Sequence, residues 1–170
     1  GPLEPPVETV RAAAELASIR GIPVILNPAP ARPLGDDLLK SVEFMTPNEH
    51  EAELLTGLRV ASEAEARNAA SRLRQRGPKV AIITLGERGC YAYGGGFEGA
   101  VPAFKVRPVD TTAAGDVFNG ALAVALAEKR PLPEALRFAN AAAALSVTKH
   151  GAQPSAPVRR DIEDFLALHT

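Results

Sequence analysis

Apolar and polar positions along the chain alternate between a helical and a strand-like rhythm. From Val7 to Arg20 an alanine-rich stretch reads as an amphipathic helix stopped by Gly21. Ile22 to Leu26 is a short apolar strand, and Pro28 and Pro30 forbid its regular continuation past Asn27. A short helix over Asp36–Lys40 leads to a second strand, Val42 to Met45. Pro47 ends that strand, and Asn48 is placed to cap a helix through Leu55 that Gly57 closes. Ser62, with Glu65 three residues on, forms a capping box for the next helix, which ends near Gly77. Lys79 to Thr84 is the clearest buried strand, an apolar run bounded by turn signals.

After Gly86 the texture changes to glycines and short strand-like runs. Cys90–Tyr93, Phe97–Val101 and Phe104–Arg107 suggest a meander at one edge of a sheet. Three helices then close the chain, over 114–129, about 133–147 and 157–168. In the first of them Phe118, Leu122 and Leu126 recur every four residues and form one apolar stripe. Apolar strands alternating with helices argue for an α/β fold with a parallel sheet, helices on both faces and a single domain. Ligands of such sheets bind beyond the carboxyl ends of strands. Asn27, Asn48 and Gly86 all follow strand ends and so can share one edge.

The stretch with most chemistry is Asp110-Thr-Thr-Ala-Ala-Gly-Asp116, at the start of that striped helix. A helix start leaves N–H groups without intrahelical partners and carries the positive end of the macrodipole. Ala113, Ala114 and Gly115 would let an anion approach those groups closely. Asp116 beside it suits a base for a hydroxyl attacking a phosphoryl group; its plainer role is to complement the dipole. Thr84-Leu85-Gly86-Glu87-Arg88-Gly89 is a strand followed by a tight glycine turn, which by default is only a turn. Asn48 and Glu51 fall on neighbouring positions of one helix face, where cap and first-turn acid are sufficient explanations. Asn140, polar within a run of alanines, reads as an edge contact rather than a core residue.

Composition narrows the classes. Nineteen basic and 20 acidic residues leave a net charge of −1, no footprint for nucleic acid or an anionic membrane. No apolar run reaches a spanning length. Cys90 is the one cysteine, so neither a disulfide framework nor a cysteine-rich metal site arises, and it reads as a small buried hydrophobe. A cytoplasmic home is the expectation. HEAEL is not a zinc motif, and no P-loop is present.

DTTAAGDVFNGAL (110–122) resembles the second signature of the PfkB/ribokinase carbohydrate kinase family. LNPAPA (26–31), TPNEHEAELLTG (46–57), ITLGERG (83–89) and FANAAAALSVTKHGAQPS (138–155) resemble the same family in the same order. The glycine-rich sugar signature of that family and its small β lid have no counterpart here. The resemblance is thus to a C-terminal portion of a ribokinase-like three-layer α/β/α fold, with a mostly parallel sheet and an edge meander. It implies ATP-dependent phosphorylation of a sugar primary hydroxyl, with ribose the expected sugar and a fructokinase or deoxyribokinase type as the alternative. It implies Asp116 as base and substrate contact, with Ala113, Ala114 and Gly115 as anion hole. ATP contacts are implied at Asn48, Thr84, Gly86, Glu87, Arg88, Gly89 and Asn140, the last beside the adenine. Glu51 is implied near Mg²⁺, and a monovalent cation such as K⁺ among Asp110, Thr112, Ser146, Lys149, Gly151 and Ser155. Alternatives for the 170 residues alone are a catalytically silent nucleotide-binding half-domain or a scaffold fragment. Partners would then be a second copy or a complementing N-terminal portion.

Overall fold

A computed structural model of the chain describes residues 6–30 and 32–169; Ala31, in the LNPAPA run, lies outside them. The chain divides into two compact units. The first takes the chain up to Ile83 together with Tyr91–Gly99, and the second takes Thr84–Cys90 and the chain from Ala100 onward.

The first unit begins with α1 (Val7–Ile19), β1 (Ile25–Leu26), α2 (Asp36–Lys40) and β2 (Phe44–Met45). It continues through α3 (Glu49–Thr56) and α4 (Glu63–Gln75) into β3 (Val80–Thr84). With β4 (Cys90–Gly94) and β5 (Phe97–Val101) the strands form one open sheet in the order β1-β2-β3-β4-β5. β1, β2 and β3 are parallel, with Ile25 opposite Phe44, Leu26 opposite Met45, and Met45 opposite Ala81. Val80 to Ile83 are each 2% exposed or less, as expected of a strand covered on both faces. The strands expected over 22–26 and 42–45 shorten to two residues each. Pro23 has no N–H to give a ladder, though Val24 O still accepts from Glu43 N and Phe44 N, both at 3.0 Å.

β4 and β5 are joined through Gly95 and Gly96, both at positive φ (63° and 81°). Two such residues make the tight turn that matches strand twist in an antiparallel hairpin. The sheet is therefore mixed. The expected third meander strand, Phe104–Arg107, does not form. Pro102 and Pro108 flank it without donors, and Phe104 packs instead edge-on to Phe165 and His169, at 5.1 and 5.4 Å.

The second unit is helical: α5 (Ala114–Ala127), α6 (Leu132–Ser146), α7 (Ala152–Ser155) and α8 (Arg159–Ala167). Phe118, Ala121, Leu122 and Ala125 are the buried residues of α5; α6 answers with Ala135, Leu136, Phe138, Ala139 and Ala142. Alanines let the two helices approach closely, and the large side chains fill the seam. Each of the buried Leu and Phe contributes about 1.5–3 kcal/mol. The Arg130 guanidinium lies 4.5 Å above the Phe138 ring.

Candidate active site

In the first unit Asn27 and Asn48 follow adjacent parallel strands at their carboxyl ends. Thr46 N donates to Leu26 O at 2.9 Å and holds the two ends together. Asn48 and Glu51 form a reciprocal capping box for α3. Glu51 N donates to Asn48 Oδ1, and Asn48 N donates to Glu51 Oε2, both at 2.8 Å. Asn48 as N-cap agrees with expectation; the return bond from Glu51 was legible in the N-x-x-E spacing but not read there. Glu51 is 6% exposed, so its carboxylate is directed by the cap and not free to wander.

In the second unit Thr84 leads through Leu85 into a single 3-10 turn over Gly86–Arg88. Leu85 N donates to Gly89 O at 2.8 Å and Gly89 N to Gly86 O at 3.1 Å, which closes the loop on itself. Gly86, Glu87 and Arg88 are exposed and Gly89 is buried. Gly89 sits at φ 95°, and a Cβ there would meet Val101 O at 2.2 Å and Ala103 N at 2.5 Å. Only glycine permits this backbone-on-backbone contact.

The start of α5 carries Asp116 in its first turn, exposed, beside exposed Gly115. Of the three expected anion-hole amides, Ala114 N–H is turned inward and donates to Thr111 O at 3.2 Å. The reason is local: Ala113 adopts φ −105°, ψ 7°, which curls the chain one residue before the helix. Among the described residues the donors without a backbone acceptor there are Ala113, Gly115 and Asp116. A groove of about 470 Å³ opens at Ala113 and Asp116; its walls are mostly apolar, with Val117, Val124, Phe138 and Ile162 among them, and it is also lined by Gln153 and Arg159. Sequence reasoning missed those last two; Gln153 lay inside a recognised run, and nothing marked Arg159.

Asp110 gathers its surroundings. Its Oδ1 accepts from Thr112 Oγ1 at 2.6 Å and Thr112 N at 3.0 Å, and its Oδ2 accepts from Gly151 N at 3.0 Å. The Thr112 hydroxyl first, then the two N–H groups, hold the Asp110 carboxyl down at about 2. Val147 O accepts from both Val109 N and Asp110 N, at 2.7 and 3.1 Å, so the end of α6 is tied to the same loop. Asp110, Thr112 and Gly151 are thereby brought together. Ser146 and Ser155 are buried, and their hydroxyls donate to Ala143 O and Ala152 O, each at 2.8 Å. Lys149 is exposed, and its N–H takes the Ser146 carbonyl at 3.1 Å.

Asn140 is 5% exposed, a buried residue and not the edge contact expected, because its Nδ2 is satisfied internally by Val101 O at 3.0 Å and Pro102 O at 3.2 Å. Two carbonyls on that side fix which way the amide faces. It also lies 3.9 Å from Cys90 Sγ. Burial pushes the Cys90 thiol up to about 12, opposed in part by the Asn140 contact. Among the described residues no cluster of three or more His, Cys, Asp or Glu is placed to hold a metal. None of their helices is long and apolar enough to cross a membrane.

Residues 1–159 match the pfkB family carbohydrate kinase, and the chain belongs to that family. Ribokinase of Haemophilus influenzae is 48% identical over 164 residues, covering 96% of this chain and 54% of that protein. The crystal structure of ribokinase from Thermotoga maritima superposes with a TM-score of 0.86 at 40% identity, over 95% of this chain and 54% of that one. Ribokinase of Arabidopsis thaliana, complexed with ribose and ATP, gives 0.87 at 34% identity, over 95% and 53%. The chain spans about half the length of these relatives.

Proposed function

We propose that this chain carries the nucleotide site and catalytic base of an ATP-dependent kinase that converts ribose to ribose 5-phosphate. The observation that carries the reading is Asp116, exposed on the wall of a groove and next to unpartnered N–H groups. A base there removes the proton of a primary hydroxyl as its oxygen bonds to the γ-phosphorus and the bond to ADP breaks. The N–H groups of Ala113, Gly115 and Asp116 stabilise charge on the transferring group. Asn48 in the first unit, and Thr84 with the turn Gly86–Gly89 in the second, are each proposed as nucleotide contacts. Cytoplasmic ATP suits such a reaction.

Two ions are proposed on these donors. Mg²⁺ keeps several waters and needs few carboxylates, so Glu51, fixed by its cap, would hold it directly or through water. When bound it neutralises phosphate charge. A monovalent cation such as K⁺ would be held by Asp110 with oxygens of Thr112, Ser146, Lys149, Gly151 and Ser155. It would fix the shape of the loop before α5. Residues outside these 170 would supply the sugar-holding groups.

Half-length coverage favours a second reading, in which the chain alone binds nucleotide but is silent. A coupled assay of ribose-dependent ADP release separates them. The kinase reading expects turnover that Asp116→Ala lowers by about 10²–10⁴-fold while MgATP binding persists. Equal turnover in wild type and variant would sink the base assignment, and none in wild type would favour the silent reading. A clean monomer on size-exclusion chromatography would count against self-association.

A further inference from the structure

Two independent features converge on one piece of backbone in the second unit, residues 101–103. From one side Gly89 lies against it with no room for a Cβ, 2.2 Å from Val101 O in the hypothetical alanine and 2.7 Å from the Pro102 carbonyl carbon. From the other side Asn140, in the middle of α6, donates to the carbonyls of Val101 and Pro102. The segment is irregular and has no strand ladder of its own after Val101. Asn140 therefore supplies bonds that secondary structure would otherwise supply.

We infer that Asn140 is a positioning residue for the nucleotide turn: it holds residues 101–103 against Gly89 and so sets the shape of the loop Leu85–Gly89. The chain of contacts is short. A shift of 101–103 reaches Gly89 directly, because the contact is backbone on backbone. Gly89 O accepts from Leu85 N and Gly89 N donates to Gly86 O, so displacement there opens the 3-10 turn itself. This role differs from reading the adenine ring: the described donor contacts of the amide all go to protein atoms, two carbonyls and Cys90 Sγ. It rests on the proposed nucleotide reading for its consequence, but not for the coupling.

The test uses Asn140→Asp, which keeps the shape and removes the donors, and Asn140→Ala in case the acid prevents folding. Amide hydrogen exchange without nucleotide reads the coupling by itself. Exchange at the bonded amides of the loop, Leu85, Arg88 and Gly89, should quicken about tenfold or more, the scale of losing two buried hydrogen bonds, while Phe118–Leu126 stays unchanged. Gly89→Ala should quicken the same amides, and the double variant should show less than the product of the single effects. Affinities for MgATP and MgGTP should then fall by similar factors in Asn140→Asp. Unchanged exchange at Leu85, Arg88 and Gly89, or multiplicative effects with Gly89→Ala, would overturn the inference. Loss confined to MgATP would overturn it too, in favour of a direct adenine contact. If wild type binds neither nucleotide but exchange responds as described, the coupling stands and the nucleotide reading fails.

Discussion

Glu51 is proposed both to cap α3 and to face Mg²⁺, and two substitutions separate the roles. Glu51→Gln retains an acceptor of the same length, and a capping box accepts Gln at this position. Its Oε1 can take the bond now made by Asn48 N to Glu51 Oε2 at 2.8 Å. Stability should therefore change by no more than about 0.5 kcal/mol, the ordinary range of a change that breaks no feature. Glu51→Ala removes the acceptor and leaves the Asn48 N–H without its partner, a loss of about 1 kcal/mol on the scale of other cap losses. For a chain of this size that lowers the melting temperature by roughly 2–4 °C. Asn48→Ala should cost a similar amount, since it deletes the other half of the box. Because the bonds are reciprocal, the double variant should fall short of the sum of the two singles. Thermal unfolding followed by circular dichroism reads wild type and all four variants. Calorimetric titration with MgATP reads the charge: both Glu51 variants should bind more weakly, Gln included. If Glu51→Gln melts as low as Glu51→Ala, the cap argument is wrong. If Glu51→Gln binds MgATP as wild type does, the charge has no part in binding.

Other expectations follow from single contacts. Asp110 has a folded-state pKa of about 2, below its ordinary 3.8, so its carboxylate adds stability above about pH 4 that fades as pH falls toward 2; melting temperatures of wild type and Asp110→Asn should converge over that window, and a constant gap would refute it. Cys90 is fully buried with its thiol held protonated, so an aromatic disulfide reagent should label it only as the chain unfolds, and prompt labelling of native protein would contradict the packing. Phe138→Ala empties the α5–α6 seam and should destabilise by about 3–5 kcal/mol in urea unfolding; a loss under about 1 kcal/mol would mean the seam is not core.

Helices were the legible part of this chain because their ends are written locally. Ser62 and Glu65 stand three apart and make the box read from them, and α2 begins and ends where its acids and lysine put it. Strands were less legible. Pro23 left β1 with two regular residues, although the apolar run extends further. Alternation over Phe104–Arg107 mimicked a strand, whereas the Phe104 ring packs against α8, some 60 residues on. Of the candidate site, Asp116 and the glycine turn could be placed from neighbours in sequence. What could not be read was set by dihedrals or by distant partners. Ala114 N–H turns inward because of the angles at Ala113. Asp110 finds Gly151 41 residues away, and Asn140 reaches across to carbonyls 38 and 39 residues earlier. No local pattern encodes such pairings.

The central claim is that these 170 residues hold a formed nucleotide site. Titration calorimetry of the chain with MgATP, with and without K⁺, tests it most directly, with Asp116→Ala as the companion. The account predicts saturable one-to-one binding in wild type, strengthened by K⁺ and retained in Asp116→Ala. No heat of binding in wild type under either condition would contradict it.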